Sequence, residues 1–136
     1  MRKSVIIYTL IGVGLAVWLA TGFQSRLTVH PYVTWVVGFS FVTWAFYAWD
    51  KRTAELKKFL RGWRVPEFTL NLLAILGGFP GAWVGRAMFE HKTSAKHHSV
   101  ILGVLIASTV AHALLALRLM YGPPLVLWPP NNWLKF

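Results

Sequence analysis

Four long apolar runs alternate with short polar segments along the chain, at residues 4–23, 31–49, 67–89 and 99–121. Each is close to the roughly 17–25 residues that cross about 30 Å of hydrocarbon. An unpaired backbone amide in lipid costs several kcal/mol, so each run is expected to be helical. The pattern predicts an all-α integral membrane protein in a single domain, a compact bundle of four transmembrane helices. One alternative stays open: three spans plus a re-entrant hairpin built from the Gly- and Pro-containing run 67–89. A straight helix over 67–89 would reach about 34 Å at 1.5 Å per residue, and a re-entrant segment must be buried in protein. Both points favour four spans.

The first run follows Arg2 and Lys3 and ends near Ala20 and Gly22, which resembles a signal peptide. Its apolar stretch is longer than a typical signal core, so it is expected to remain as a helix. Residues 50–66 read DKRTAELKKFLRGWRVP. Leu56, Phe59, Leu60 and Trp63 fall at helical spacing with cations opposite, which predicts a basic amphipathic helix at the headgroups. Pro66 and Glu67 suit the first turn of the next helix.

Composition supports the membrane reading: 56% of the residues are hydrophobic and the mean hydropathy is +0.52, above the usual 45–50% apolar content of soluble domains. With no cysteine, disulfides and thiolate chemistry are excluded. The net charge of +10 reads as cytoplasmic loops facing anionic lipid, and nucleic acid is not expected as a partner. Four spans with both ends in the cytoplasm would leave Arg26, Arg86, Lys92 and Lys96 outside. The re-entrant alternative would leave Arg26, Arg118 and Lys135 outside, a slightly better fit to the positive-inside rule. Either arrangement places the amino end in the cytoplasm, at a bacterial inner membrane.

Gly77, Gly81 and Gly85 recur at i, i+4, i+8, with Gly78 and Ala82 beside them. Similar small-residue series occur at Gly12, Ala16 and Ala20, and at Gly103, Ala107 and Ala111. Close backbone approach over such faces is a main source of helix association in lipid. Pro80 lacks an N–H and leaves the carbonyl of Leu76 without its helical donor. A kinked packing helix is the expectation; a discontinuous helix whose freed backbone binds an ion or headgroup is the sharper alternative. Trp35, Phe39, Phe46 and Trp49 form an aromatic stripe, read as core and interfacial belt.

Few groups carry chemistry. His112 and Asn71 lie within spans, and an ionisable group there is a functional candidate, although a neutral histidine can simply bond another helix. His91, His97 and His98 match no trusted metal spacing, and no metal or cofactor is expected. The acidic residues are Asp50, Glu55, Glu67 and Glu90. Asp50, Lys51, Arg64, Glu67, His91 and Lys92 compose a candidate headgroup site, which the four-span arrangement would split between the two membrane faces and the re-entrant one would unite. No catalytic constellation stands out.

The stretches YAWDKRTA (47–54) and WRVPEFTLNLLAILGGFPGAWVGRAMFEHKTS (63–94) resemble a bacterial family of small membrane proteins known as domain of unknown function 1294. The pattern is carried by Asp50 and Lys51; Trp63, Arg64, Pro66 and Glu67; Gly77, Gly78 and Gly81; and Phe89, His91, Lys92 and Thr93, over about residues 40–120. The resemblance implies a helical inner-membrane protein and supplies no activity. Some relatives resemble fusions with a cold-shock domain; this chain has an apolar helix in that place, so no nucleic-acid role carries over. Two functions compete: an accessory subunit packing against itself or a larger membrane complex, and an enzyme or transporter acting on a phosphorylated lipid.

Overall fold

A computed structural model describes residues 3–56, 64–89 and 95–122, the side chains of 95–98 excepted. The elements are α1 (Lys3–Gln24), α2 (Pro31–Glu55), α3 (Glu67–Leu73), a wide π-type turn (Ala74–Gly78), α4 (Phe79–Met88) and α5 (Ala95–Tyr121). No strand occurs among the described residues.

The expectation of four transmembrane helices requires correction. Among the described residues, three helical stretches are long and apolar enough to cross a membrane: Lys3–Gln24, Glu67–Met88 and Ser99–Tyr121. Helix α2 is not among them. Thr34, Ser40 and Thr43 interrupt its apolar part, and Asp50, Lys51, Arg52 and Glu55 occupy its last turns. The predicted boundary at residue 49 also moves, because α2 continues unbroken to Glu55. The first residues of the predicted interfacial helix therefore belong to α2, and residues 57–63 lie outside the described set.

Helix α2 is the centre of the bundle. It begins where His30 accepts a hydrogen bond from the Tyr32 amide, with Pro31 in the first turn, a position where the missing N–H costs nothing. Helix α1 runs antiparallel to it. A side chain on Gly38 would strike the backbone of Ala16 and Ala20 at 2.9 Å, so the two helices meet backbone to backbone, as small residues in lipid allow. Gln24 accepts from Thr34 at one end of this pair, and Tyr8 meets Phe46 edge-on toward the other.

The run 67–88 is a hairpin rather than a straight helix. Gly77 has φ 131° and ψ −6° inside it, a conformation that L side chains rarely adopt and glycine adopts readily. Helix α3 enters beside α1, with Thr9 and Thr69 sharing a hydrogen bond of 3.0 Å and Leu73 packed on Gly12. Gly77 sits against Trp35 and Phe39. Helix α4 then returns along α2: Gly78 on Thr43 and the Phe39 carbonyl, Gly81 on the Ser40 carbonyl, Gly85 on Tyr47, and Phe89 near Trp44 and Lys51. Glu67 and Arg86 both lie close enough to Tyr47 to act on it electrostatically. A straight helix would hold those two residues about 28 Å apart.

Helix α5 closes the bundle antiparallel to α2. Leu105 packs on Ala74 and Ala82, while Ile101 and Tyr47 border that cluster. The hairpin stands between α2 and α5 over much of their length, and Tyr32 of α2 meets His112 of α5 directly.

Candidate functional site

Two places concentrate polar chemistry. The first is the hairpin apex. Pro80 cannot donate to the carbonyl of Leu76, and the indole Nε1 of Trp35 does so instead at 2.7 Å. Ser108 Oγ donates to the carbonyl of Ala74 at 2.7 Å, and His112 Nε2 lies 2.9 Å from the carbonyl of Ile75. A carbonyl only accepts, so this network assigns the proton of His112 to Nε2. Its Nδ1 faces the Tyr32 hydroxyl at 2.8 Å. Phe79 stacks on the imidazole with ring centroids 5.1 Å apart.

Three successive carbonyls at the break are thus met by side chains from α2 and α5. An unmet buried carbonyl costs about 1–3 kcal/mol, so these donors hold the reversal in place. Each of the three backbone oxygens freed at the break thus accepts a hydrogen bond from a side chain of another element. His112 bonds two other elements, the turn through Nε2 and α2 through Nδ1. Asn71 is half-buried on α3, and its carbonyl accepts from the Ala74 amide.

The glycines divide. Gly78, Gly81 and Gly85 form the contact face of α4 on α2, as expected of packing positions. Gly77 was expected on the same stripe and instead forms the turn, because its backbone conformation excludes it from a regular helix. On α1, Gly12, Ala16 and Ala20 are buried, as predicted. On α5 the small-residue series is exposed, and a side chain added at Gly103 would meet nothing.

The second place is the rim where α2, the entry of α3 and the exit of α4 converge. Arg64 Nε lies 3.4 Å from Asp50 Oδ1. The carboxylate is mostly buried, with 14% of its side chain exposed, against 55% for the arginine. Lys51 Nζ stands 5.6 Å above the Phe89 ring, a cation–π distance. Tyr47 is flanked by Asp50, Glu67 and Arg86. Asp50, Lys51, Arg64 and Glu67, four of the six headgroup candidates, lie at this rim around the connection from α2 to α3, and the reversal at Gly77 adds Arg86 and Phe89 to it. His91 and Lys92 lie outside the described residues.

Arg86 and Tyr47 belong to this rim and were not among the headgroup candidates read from the sequence; at the apex, Trp35 was read only as part of an aromatic stripe, and Ser108 and Tyr32 were not singled out. One signal pointed toward Trp35: the carbonyl orphaned by Pro80 needs a donor, and an indole is donor-only. Chemically, the rim offers forked guanidinium groups, which suit phosphate and carboxylate oxygens, next to aromatic rings. Among the described residues no three His, Asp or Glu side chains converge as a metal site.

The model of the family described as "Protein of unknown function (DUF1294)" matches residues 40–98, which take in the rim and both legs of the hairpin. The apex donors Trp35, Ser108 and His112 fall outside that match. The "Uncharacterized protein YsdA" of Bacillus subtilis (strain 168) is 39% identical over 74 residues, covering 54% of this chain and 74% of that protein. No solved structure matches the chain. With the match centred on the rim and the glycine hairpin, and with that relative covered over most of its length, the chain belongs to the family of proteins of unknown function DUF1294.

Proposed function

We propose that this is a multi-pass protein of the bacterial inner membrane in which α1, α2 and α5 cross the bilayer and the hairpin α3–α4 re-enters from the cytoplasmic side, carrying a rim that binds a phosphorylated lipid headgroup. One observation carries the reading: the reversal at Gly77, which brings Arg64 and Glu67 to the same end of the bundle as Arg86 and Phe89. The modest hydropathy of α2 fits its central place, where α1 and the hairpin cover it from lipid. A re-entrant segment must be buried in protein, and the hairpin lies between α2 and α5. With the amino end cytoplasmic, Lys51, Arg52, Arg64 and Arg86 fall on the cytoplasmic side, in keeping with the positive-inside rule.

The absence of cysteine makes the test direct. Lys58→Cys and Ser94→Cys are expected to react with an impermeant thiol reagent from the same, cytoplasmic, face of inverted vesicles, and Asn131→Cys from the other. Reaction of positions 58 and 94 from opposite faces would overturn the re-entrant topology. For the headgroup, purified protein titrated with phosphatidylglycerol in detergent and weighed as the intact complex is expected to retain the lipid, and the Arg64→Ala, Arg86→Ala variant to lose it. Equal retention by both would remove the rim as the binding site.

The accessory-subunit reading keeps one support. The small faces of α1 and of the hairpin are used within the chain, but Gly103, Ala107 and Ala111 remain exposed on α5. A stoichiometric partner or dimer after mild detergent extraction, lost in Gly103→Leu, would favour it over the headgroup reading.

A further inference from the structure

At the rim a mostly buried carboxylate stands behind an exposed guanidinium. Asp50 lies in the last turns of α2 and keeps 14% of its side chain exposed, against 55% for Arg64. Arg64 meets Asp50 Oδ1 through Nε, and among the described residues nothing else takes its two Nη groups. We propose that Asp50 is a positioning residue: it holds Arg64 by the Nε edge and so turns the Nη pair outward, to take two oxygens of the headgroup phosphate. The inference rests on the headgroup reading. It changes the part of Asp50 in that site from a group that touches the lipid to one that acts through Arg64.

The backbone fixes both partners. Val65, next to Arg64, is buried, and the Pro66 carbonyl accepts the Thr69 amide as α3 begins. On α2 the Thr53 hydroxyl bonds the carbonyls of Trp49 and Asp50 within unbroken helix. What stays adjustable is the long arginine side chain, and immobilising it on binding costs entropy. An ion pair formed before the lipid arrives removes part of that cost. The guanidinium is a rigid planar fork. Held at Nε, it keeps the N–H groups of both Nη nitrogens, and two parallel N–H bonds match two phosphate oxygens. Charge argues against direct contact between Asp50 and the phosphate, since both are anionic. Burial of the carboxylate behind the guanidinium keeps the like charges apart.

The affinity of the purified full chain for phosphatidylglycerol in detergent, read by weighing the intact complex, tests the proposal in a cycle of the parent, Asp50→Ala, Arg64→Ala and the double variant. Asp50→Ala makes the rim more positive, so attraction by charge alone predicts tighter binding. Loss of positioning predicts the opposite, a dissociation constant about fivefold higher, the scale of a partly exposed ion pair. In the Arg64→Ala background the same change is expected to bring no loss, because Asp50 acts through Arg64. Glu55→Ala, an equal change of charge at an exposed site on α2, is expected to leave the constant within about twofold of the parent's. Binding by Asp50→Ala as tight as the parent's or tighter would overturn the proposal, while the need for Arg64 and Arg86 kept the headgroup reading intact. An equal loss with and without Arg64 would overturn it as well. Asp50→Asn keeps the size and one neutral acceptor, and replaces the alanine variant if that fails to accumulate; its loss is expected to follow the same pattern, present with Arg64 and absent without it. A parent that retains no phosphatidylglycerol would remove the headgroup reading itself, and this inference with it.

Discussion

The two ends of the space between α2 and α5 are built on different terms. At the rim end the hairpin fills it, and the contacts are backbone on backbone: Gly78 on Thr43 and the Phe39 carbonyl, Gly81 on the Ser40 carbonyl, Gly85 on Tyr47. At the other end no backbone contact of this kind intervenes: valines and alanines border an open groove, and the two helices meet through the Tyr32 hydroxyl on His112. Lipid supplies no hydrophobic drive between helices. Tight association therefore appears where glycine lets backbones approach and where donors from neighbouring helices meet freed carbonyls, and stops where the hairpin stops.

The sharpest way to break that contrast is to put the same side chain in a tight and an open place. Gly81→Val would drive a branched side chain into the backbone of Ser40; overpacking costs about 1–3 kcal/mol, occasionally more. Unfolding in mixed micelles, followed by far-ultraviolet circular dichroism, is expected to shift by that much, or the variant to fail to accumulate. Gly77→Ala comes next. It asks an L residue to hold φ 131° beside Trp35, a strain of about 1–3 kcal/mol, and the same titration is the check. An unchanged transition would mean that the reversal does not need glycine. Trp35→Phe and Ser108→Ala each remove a donor at the apex and leave one carbonyl unmet, for about 1–3 kcal/mol. Faster backbone hydrogen exchange is expected across 74–79 in both, with α1 unaffected. Arg64→Ala touches a half-exposed ion pair worth about 0–1 kcal/mol, so its unfolding midpoint should hardly move while phosphatidylglycerol retention falls. Gly103→Val, into open space on α5, is expected to change stability by no more than about 0.5 kcal/mol. A cost comparable to that of Gly81→Val would show the α5 face to be as closely covered as the hairpin.

Much of the local structure was legible. The apolar runs marked helices α1 and α5 closely, Pro31 and Pro66 marked helix entries, and Pro80 identified Leu76 as a carbonyl in need of a donor. The small-residue face of α1 was also readable, because glycine and alanine at i, i+4 spacing have few other uses there. Other features were not. The end of α2 was placed at residue 49 because charge begins at Asp50, whereas helical hydrogen bonding tolerates charged residues at a membrane boundary and continues to Glu55. The α5 series Gly103–Ala107–Ala111 has the same spacing as the α1 series and yet faces outward, since spacing says which residues share a face and not what that face meets.

The sequence by itself determined helix for nearly every described segment and helices long and apolar enough to cross a membrane, because these follow from hydrocarbon thickness and backbone satisfaction. Only the tertiary structure decided that residues 67–88 turn back on themselves. A run of that length and hydropathy suits a straight span or two half-length legs equally well. The choice rests on one backbone torsion at Gly77, on Trp35, Ser108 and His112 meeting the carbonyls beside it, and on the backbone of α2 lying close enough to receive Gly78 and Gly81.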